Sequence, residues 1–399
     1  MEWGSLRGVG RRPLLALSGL AAAGVPLVKV GEPAARRPVE DYERFVARLA
    51  AEDRFSGVVM LAHKGRTVLS RAYGMADRER GIRNHEATAF NLASASQPFL
   101  AVAVLQLMQQ GRLALSDTVG RHLSGLRPEI AEKVTIHHVL TGTSGMDAPM
   151  PDWRHVYRSR EEVRRHHVQW ARQATLAGVP GSGSNGHLPG AGVGLSMAAQ
   201  IVEALSGLTF WDYVHRNVFD RSGMRGSGFY TRTQWLADER IAHPYMLQAD
   251  GRLVDAVRNL DLGSVNPNIL GRNPGRAFIG YASGDGFVTA PDLVRFAEAL
   301  RTGTVLDRVH AGLFAGAKLP GPVATSFDGY TMPIHITEGQ WVFGRGGGGP
   351  GVGANWNVYP DTGWVGVVLS NSDNSALLEI LEKEAEVVTG APAAAAAVR

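Results

Sequence analysis

Hydrophobic spacing changes character several times along the chain, and each change marks an element. Over residues 39–51 apolar side chains recur at Tyr42, Phe45, Val46 and Leu49, the period of a helix with one buried face. Residues 55–63 and 67–73 are apolar and β-branched enough for strands, and Lys64-Gly65 between them suits a hairpin turn. A long apolar helix is predicted over residues 94–110, with Gly111 where a terminating glycine belongs. From about 112 to 280 the patterns are mainly helical, residues 195–206 and 209–218 among them. The stretch 158–173, rich in Arg, Glu and His, reads as two helices forming a solvated face. Strand patterns return only at 341–343, 354–359 and 364–370, before a closing helix over 375–388. An alanine-rich tail from Gly390 is expected to be disordered, and no internal repeat is visible.

Composition narrows the classes. The 399 residues carry 41 basic and 37 acidic side chains, a net charge of +4, and 44% are hydrophobic, which describes a globular protein with a substantial core. Charges alternate in sign and no run of five Lys/Arg occurs, so no nucleic-acid partner is expected. Cysteine is absent, which excludes disulfides, thiolate nucleophiles, cysteine-ligated zinc and a lipoprotein anchor. Covalent chemistry would therefore fall to Ser, Thr, Lys, His, Tyr or a carboxylate. Lysine is scarce, with only Lys29, Lys64, Lys133, Lys318 and Lys383.

Near the amino terminus Arg11-Arg12 precede an uncharged apolar stretch, residues 13–27, too short to span a bilayer and of signal-peptide length. The pair resembles a twin-arginine export signal, so residues 1–37 are expected to be leader and linker and the protein extracytoplasmic, or cytoplasmic if that signal is not functional.

Several stretches, in order, resemble the β-lactamase-related serine hydrolases, a family of class C β-lactamases, D-alanyl-D-alanine peptidases and related esterases. They are Asn91-Leu92-Ala93-Ser94-Ala95-Ser96-Gln97-Pro98-Phe99, Leu140-Thr141-Gly142-Thr143-Ser144-Gly145, Gly286-Phe287-Val288-Thr289-Ala290 and Gly349-Pro350-Gly351, with Leu369-Ser370-Asn371 near the end. The resemblance implies an α/β (α+β) fold in which an antiparallel sheet, built from both chain ends and flanked by helices, holds an inserted, mainly helical domain. The sheet domain would comprise 38–93 and 281–388, the helical domain 94–280, and the tail 389–399. In such proteins a serine opens a helix, a lysine one turn later takes its proton, a tyrosine assists, and a strand supplies a Lys or His.

Here those positions depart from the pattern. Ser94 occupies the nucleophile position, but Gln97 replaces the lysine, and an amide has no useful basicity. The tyrosine and asparagine of the second motif fall on Gly190 and Gly192, in a glycine-rich loop whose one titratable side chain is His187, a candidate displaced base. The third motif has Arg345, which can hold a carboxylate but transfers no proton. By resemblance, the N–H groups of Ser94 and Gly348 would form an oxyanion hole. Gly142 and Asp285 are smaller departures, Asp285 standing where a Gly-Gly pair is usual, and the added glycines predict a widened cleft. Gly190-Ala191-Gly192-Val193-Gly194 lacks the strand and acidic residue of a dinucleotide site, and His137-His138 and His166-His167 lack metal-ligand spacing, so no cofactor or metal is expected.

Three functions fit: a family member that binds a small acyl or peptide-like ligand in the cleft without turnover; a hydrolase or acyltransferase whose Ser94 is activated by His187, Asp147 or Asp285; or a cyclase or isomerase in which Arg345 polarises the substrate. No stable membrane span is expected, and the oligomeric state is open.

Overall fold

The computed structural model describes residues 32–184, 188 and 190–390; the twin arginines, His187 and the tail beyond Gly390 lie outside them. The first helix, α1 (Glu32–Ala51), begins well before residue 39, and Pro38 lies inside it rather than at its start. Proline cannot donate to the carbonyl one turn back, which is why it reads as a boundary from sequence. The hairpin appears as expected, with β1 (Gly57–His63) and β2 (Arg66–Tyr73) joined through Lys64 and Gly65, both at positive φ.

Ahead of the long apolar helix lies a tight 3-10 turn, Ala93–Ser96, and α2 (Gln97–Gln109) follows it. Pro98 sits in the first turn of α2, where its missing N–H costs nothing. From Pro98 to Leu107 α2 is buried on every side, as an all-round apolar sequence requires. The Arg/Glu/His stretch forms one helix, α3 (Arg160–Gln173), capped by Ser159, in place of two. Then come α4 (Val193–Ser206) and α5 (Ala290–Thr302).

Three short strands, β3 (Leu319–Pro320), β4 (Ser326–Asp328) and β5 (Pro333–Thr337), carry no alternating pattern long enough to read from sequence. β6 (Gln340–Gly349) extends through four consecutive glycines, which sequence propensity counts against a strand. β7 (Val352–Tyr359), β8 (Trp364–Ser370) and the closing helix α6 (Leu377–Thr389) complete the chain.

Among the described residues the main sheet has eight strands in the order β3-β4-β5-β6-β7-β8-β1-β2, and every pairing is antiparallel. The two chain ends meet where β1 pairs with β8, Val59 opposite Val368. Alternation along β1 divides the core. Val58, Met60 and Ala62 join the large cluster that contains α2, whereas Val59 and Leu61 pack with Tyr42, Val46 and Ile380 of the two terminal helices. The sheet is thus covered on both faces, and its edge beyond β5 leaves the glycine end of β6 free to meet the turn at Ser94.

Candidate active site

Ser94 is held by backbone geometry. Ala93 before it has φ +43°, a left-handed conformation that costs an alanine about 1–2 kcal/mol, so the surroundings must impose it. Asn91 Oδ1 accepts the Ala93 N–H at 2.7 Å, and the Ala93 carbonyl accepts from Ser96 Oγ at 2.9 Å and from the Asp285 N–H at 3.1 Å. On the other side, Trp356 Nε1 donates to the Ala95 carbonyl at 3.0 Å. β6 then passes so close that a Cβ at Gly347 would lie 2.0 Å from the Leu92 carbonyl oxygen and 3.0 Å from the Ser94 nitrogen. Only glycine fits there.

The cleft beside this turn holds about 520 Å³ and is lined in part by Ser94, Gln97, Gly192, Asp285 and Gly348. Five of the residues singled out from sequence therefore come together. Gln97 donates through Nε2 to the Ser283 carbonyl at 2.7 Å. Among the described residues Ser94 Oγ has no hydrogen-bond partner. Asp285 has φ +65° where the family usually places glycine, and burial raises its carboxyl above the ordinary range.

Three candidates stand elsewhere. Gly190 does not line the cleft; its N–H donates to Asp147 Oδ1 at 2.8 Å, and a Cβ on it would lie 2.0 Å from the Ala148 carbonyl oxygen. Asp147 is thereby committed to the loop, since Oδ1 also takes the Ala148 N–H at 2.9 Å. Arg345, expected as a carboxylate fork, lies outside the lining and donates through Nε to the Ser94 carbonyl at 2.7 Å and through Nη1 to the Thr331 carbonyl at 2.6 Å. It is a backbone clamp. Burial lowers its guanidinium to about 10, still charged at neutral pH.

The cleft also exposes what the sequence reading passed over. Val163, His166, His167 and Trp170 of α3 face it, so this helix is a wall of the site and not a solvated face. Their spacing at i, i+3, i+4 and i+7 was the available signal, masked by the intervening charges. His167 stacks on Tyr281 with ring centroids 4.4 Å apart, and its Nδ1 is 2.7 Å from Ser196 Oγ. Burial pushes the His167 imidazole down to about 3, which keeps it neutral, and pushes the Tyr281 phenol up, which keeps it protonated. Neither is tuned to move protons near pH 7. Among the described residues no group of three His, Asp or Glu side chains could hold a metal ion, and no single helix is long and apolar enough to cross a membrane.

Comparison with known proteins agrees with this fold. The family model described as "Beta-lactamase" matches residues 42–389. Esterase EstB of Burkholderia gladioli is 32% identical over 66% of this chain and 72% of its own. The putative penicillin-binding protein PbpX of Bacillus subtilis is 25% identical over 85% of this chain and 76% of its own. Among solved structures, a penicillin binding protein from Bacillus halodurans superposes with a TM-score of 0.69 at 24% identity, covering 87% of this chain and 97% of that one. With the serine turn, the glycine strand and the two-ended sheet all in family order, the chain belongs to the beta-lactamase family of serine hydrolase-fold proteins.

Proposed function

We propose that this protein binds a small acyl or peptide-like ligand in the cleft beside Ser94 and has lost hydrolysis by the family's lysine and tyrosine relay. One observation carries the reading: the side chain one turn after Ser94 is an amide already engaged with the Ser283 carbonyl, so the serine proton has no amine to go to. Gly190 compounds the loss, because glycine has no hydroxyl and no side chain could be restored there against Ala148. Binding survives in this reading because the turn, the Ser94 and Gly348 N–H groups and the open cleft remain. Export through Arg11-Arg12 belongs to the same proposal, and cell fractionation with and without Arg11→Lys/Arg12→Lys tests it.

A second reading is supported by Asp285, a residue of the cleft lining whose buried carboxyl is raised above its ordinary value. In it Ser94 Oγ attacks an ester carbonyl, its proton passes to Asp285, and the proton returns to the departing alkoxide. EstB, named an esterase, lends this weight.

Mass spectrometry after exposure to a fluorophosphonate or benzylpenicillin separates the two. Lost hydrolysis predicts no adduct, with Gln97→Lys tested for gain of labelling. An adduct on the natural chain that Ser94→Ala and Asp285→Asn both abolish overturns the first reading for the second.

A further inference from the structure

The outer part of the cleft has a chemistry of its own. Trp170 is fixed by its Nε1 donating to the Pro149 carbonyl at 2.8 Å, and the His166 ring lies nearly parallel to it, 24° apart with centroids at 6.3 Å. Tyr157 meets His166 edge-on at 5.3 Å. A Cβ at Gly192 would sit 3.5 Å from the far edge of the Trp170 indole, so any larger residue there would cover it; glycine leaves it open to the cleft. Burial lowers His166 below its ordinary value, and this aromatic wall carries no charge at neutral pH.

Across the mouth the walls are pinned by Arg276. Its guanidinium donates to the carbonyls of Trp153 at 3.0 Å, Leu260 at 2.7 Å, Gly271 at 2.7 Å and Leu262 at 2.8 Å, while its own carbonyl accepts the Tyr157 N–H at 3.0 Å. Arg276 has nothing left to offer a ligand. Arg272 differs: its guanidinium lies 4.1 Å over the Trp153 ring, half-buried at the cleft, and among the described residues that side chain makes no hydrogen bond or ion pair. A guanidinium stacked on an indole is oriented while its N–H edge stays free, the arrangement that receives a carboxylate in a two-pronged bond. Of the acids at the cleft, Asp152 accepts the Arg154 N–H at 2.9 Å and Asp285 lies at the Ser94 end. Met150 and Trp153, 42% and 40% exposed, add apolar surface at the rim.

We propose that this part of the cleft recognises a flat apolar group bearing a carboxylate, the ring lying along Trp170 and His166 and the carboxylate bound by Arg272. The proposal rests on the cleft being a ligand site, as above, and names the ligand class. A neutral ester or amide end would reach Ser94; the anionic end would lie at the mouth. Selectivity would come from the charge on Arg272, and affinity from the apolar wall.

The test uses two probes of one shape, 1-naphthylacetate and its neutral amide, titrated against the full chain by calorimetry. The acid should bind about tenfold more tightly than the amide, as expected for one charge-assisted bidentate contact. Arg272→Gln should remove that preference and leave the amide unchanged, Arg272→Lys should restore part of it, and Gly192→Leu should weaken both probes. Thermal melting of each variant verifies folding. Equal affinity for acid and amide, a preference that persists in Arg272→Gln, or no binding of either probe overturns the proposal. Equal but measurable binding overturns this proposal while leaving the cleft a ligand site, whereas a Ser94 adduct with the fluorophosphonate overturns the loss of hydrolysis and leaves this proposal standing.

Discussion

Glu384 gives a stability prediction whose sign and size follow from its surroundings. It projects from α6 against the sheet, fully buried, where Gly366 of β8 makes room: a Cβ there would come within 2.1 Å of Glu384 Oε1. Asn357 Nδ2 donates to Oε1 at 3.1 Å, while Oε2 and the nearby Tyr42 hydroxyl have no partner among the described residues. Burial raises the carboxyl from an ordinary 4.5 to about 7. Because the folded state holds the proton more tightly than the unfolded chain, the contribution to stability is fully present below the ordinary carboxylate range. It is lost as pH rises from about 4.5 to 7. The span of about 2.5 pH units corresponds to about 3 kcal/mol, near 1.4 kcal/mol for each. Glu384→Gln keeps the shape and removes the ionisation, so it should be near neutral at pH 4.5 and more stable than the natural chain by about 2–3 kcal/mol at pH 8, less whatever its unpaired amide costs. Urea unfolding of both proteins at the two pH values measures this directly. A difference between them that does not change with pH would refute the reasoning.

Three further substitutions probe the site. Gly347→Ala places a methyl 2.0 Å from the Leu92 carbonyl oxygen, so β6 must move away from the Ser94 turn; a loss of about 1–3 kcal/mol in chemical denaturation is expected, with weaker probe binding. Arg345→Met strips the donors from the Ser94 and Thr331 carbonyls and should cost about 2 kcal/mol, whereas Arg345→Lys should recover part of it. Asp285→Gly relieves a φ of +65° and removes a buried acid, so melting should rise, by about 1 kcal/mol equivalent, and more at pH 8 than at pH 4 because burial penalises the charged form. A lower melting temperature at pH 8 would show that the Asp285 carboxylate has a stabilising partner.

Legibility differed by element. The α2 helix, the β1–β2 hairpin and the strands at β7 and β8 were readable because their patterns are long, apolar and local. β6 was half visible: residues 341–343 carry the apolar signal, but Gly346 to Gly349 form a strand because β7 pairs with them and the Ser94 turn leaves no room for a side chain at Gly347. Local propensity cannot express a requirement made by Leu92 and Ser94, far away in the sequence. α3 was misread for the opposite reason, since its charges are local and visible while the cleft that Val163, His166, His167 and Trp170 face is not.

By itself the sequence determined which functional groups each position can offer. Gln97 is an amide, Gly190 has no hydroxyl and no cysteine exists anywhere, and these identities hold in any conformation. Tertiary structure decided how the remaining groups are used. It turned Arg345 from an expected ligand fork into a clamp on the Ser94 carbonyl, left the Arg272 guanidinium stacked at the cleft and, among the described residues, unpaired, and raised Asp285 and Glu384 by taking them out of water. Residue identity sets what a side chain can do, but burial, partners and distance set which of those things it does, and these arise only when segments far apart in sequence are packed together.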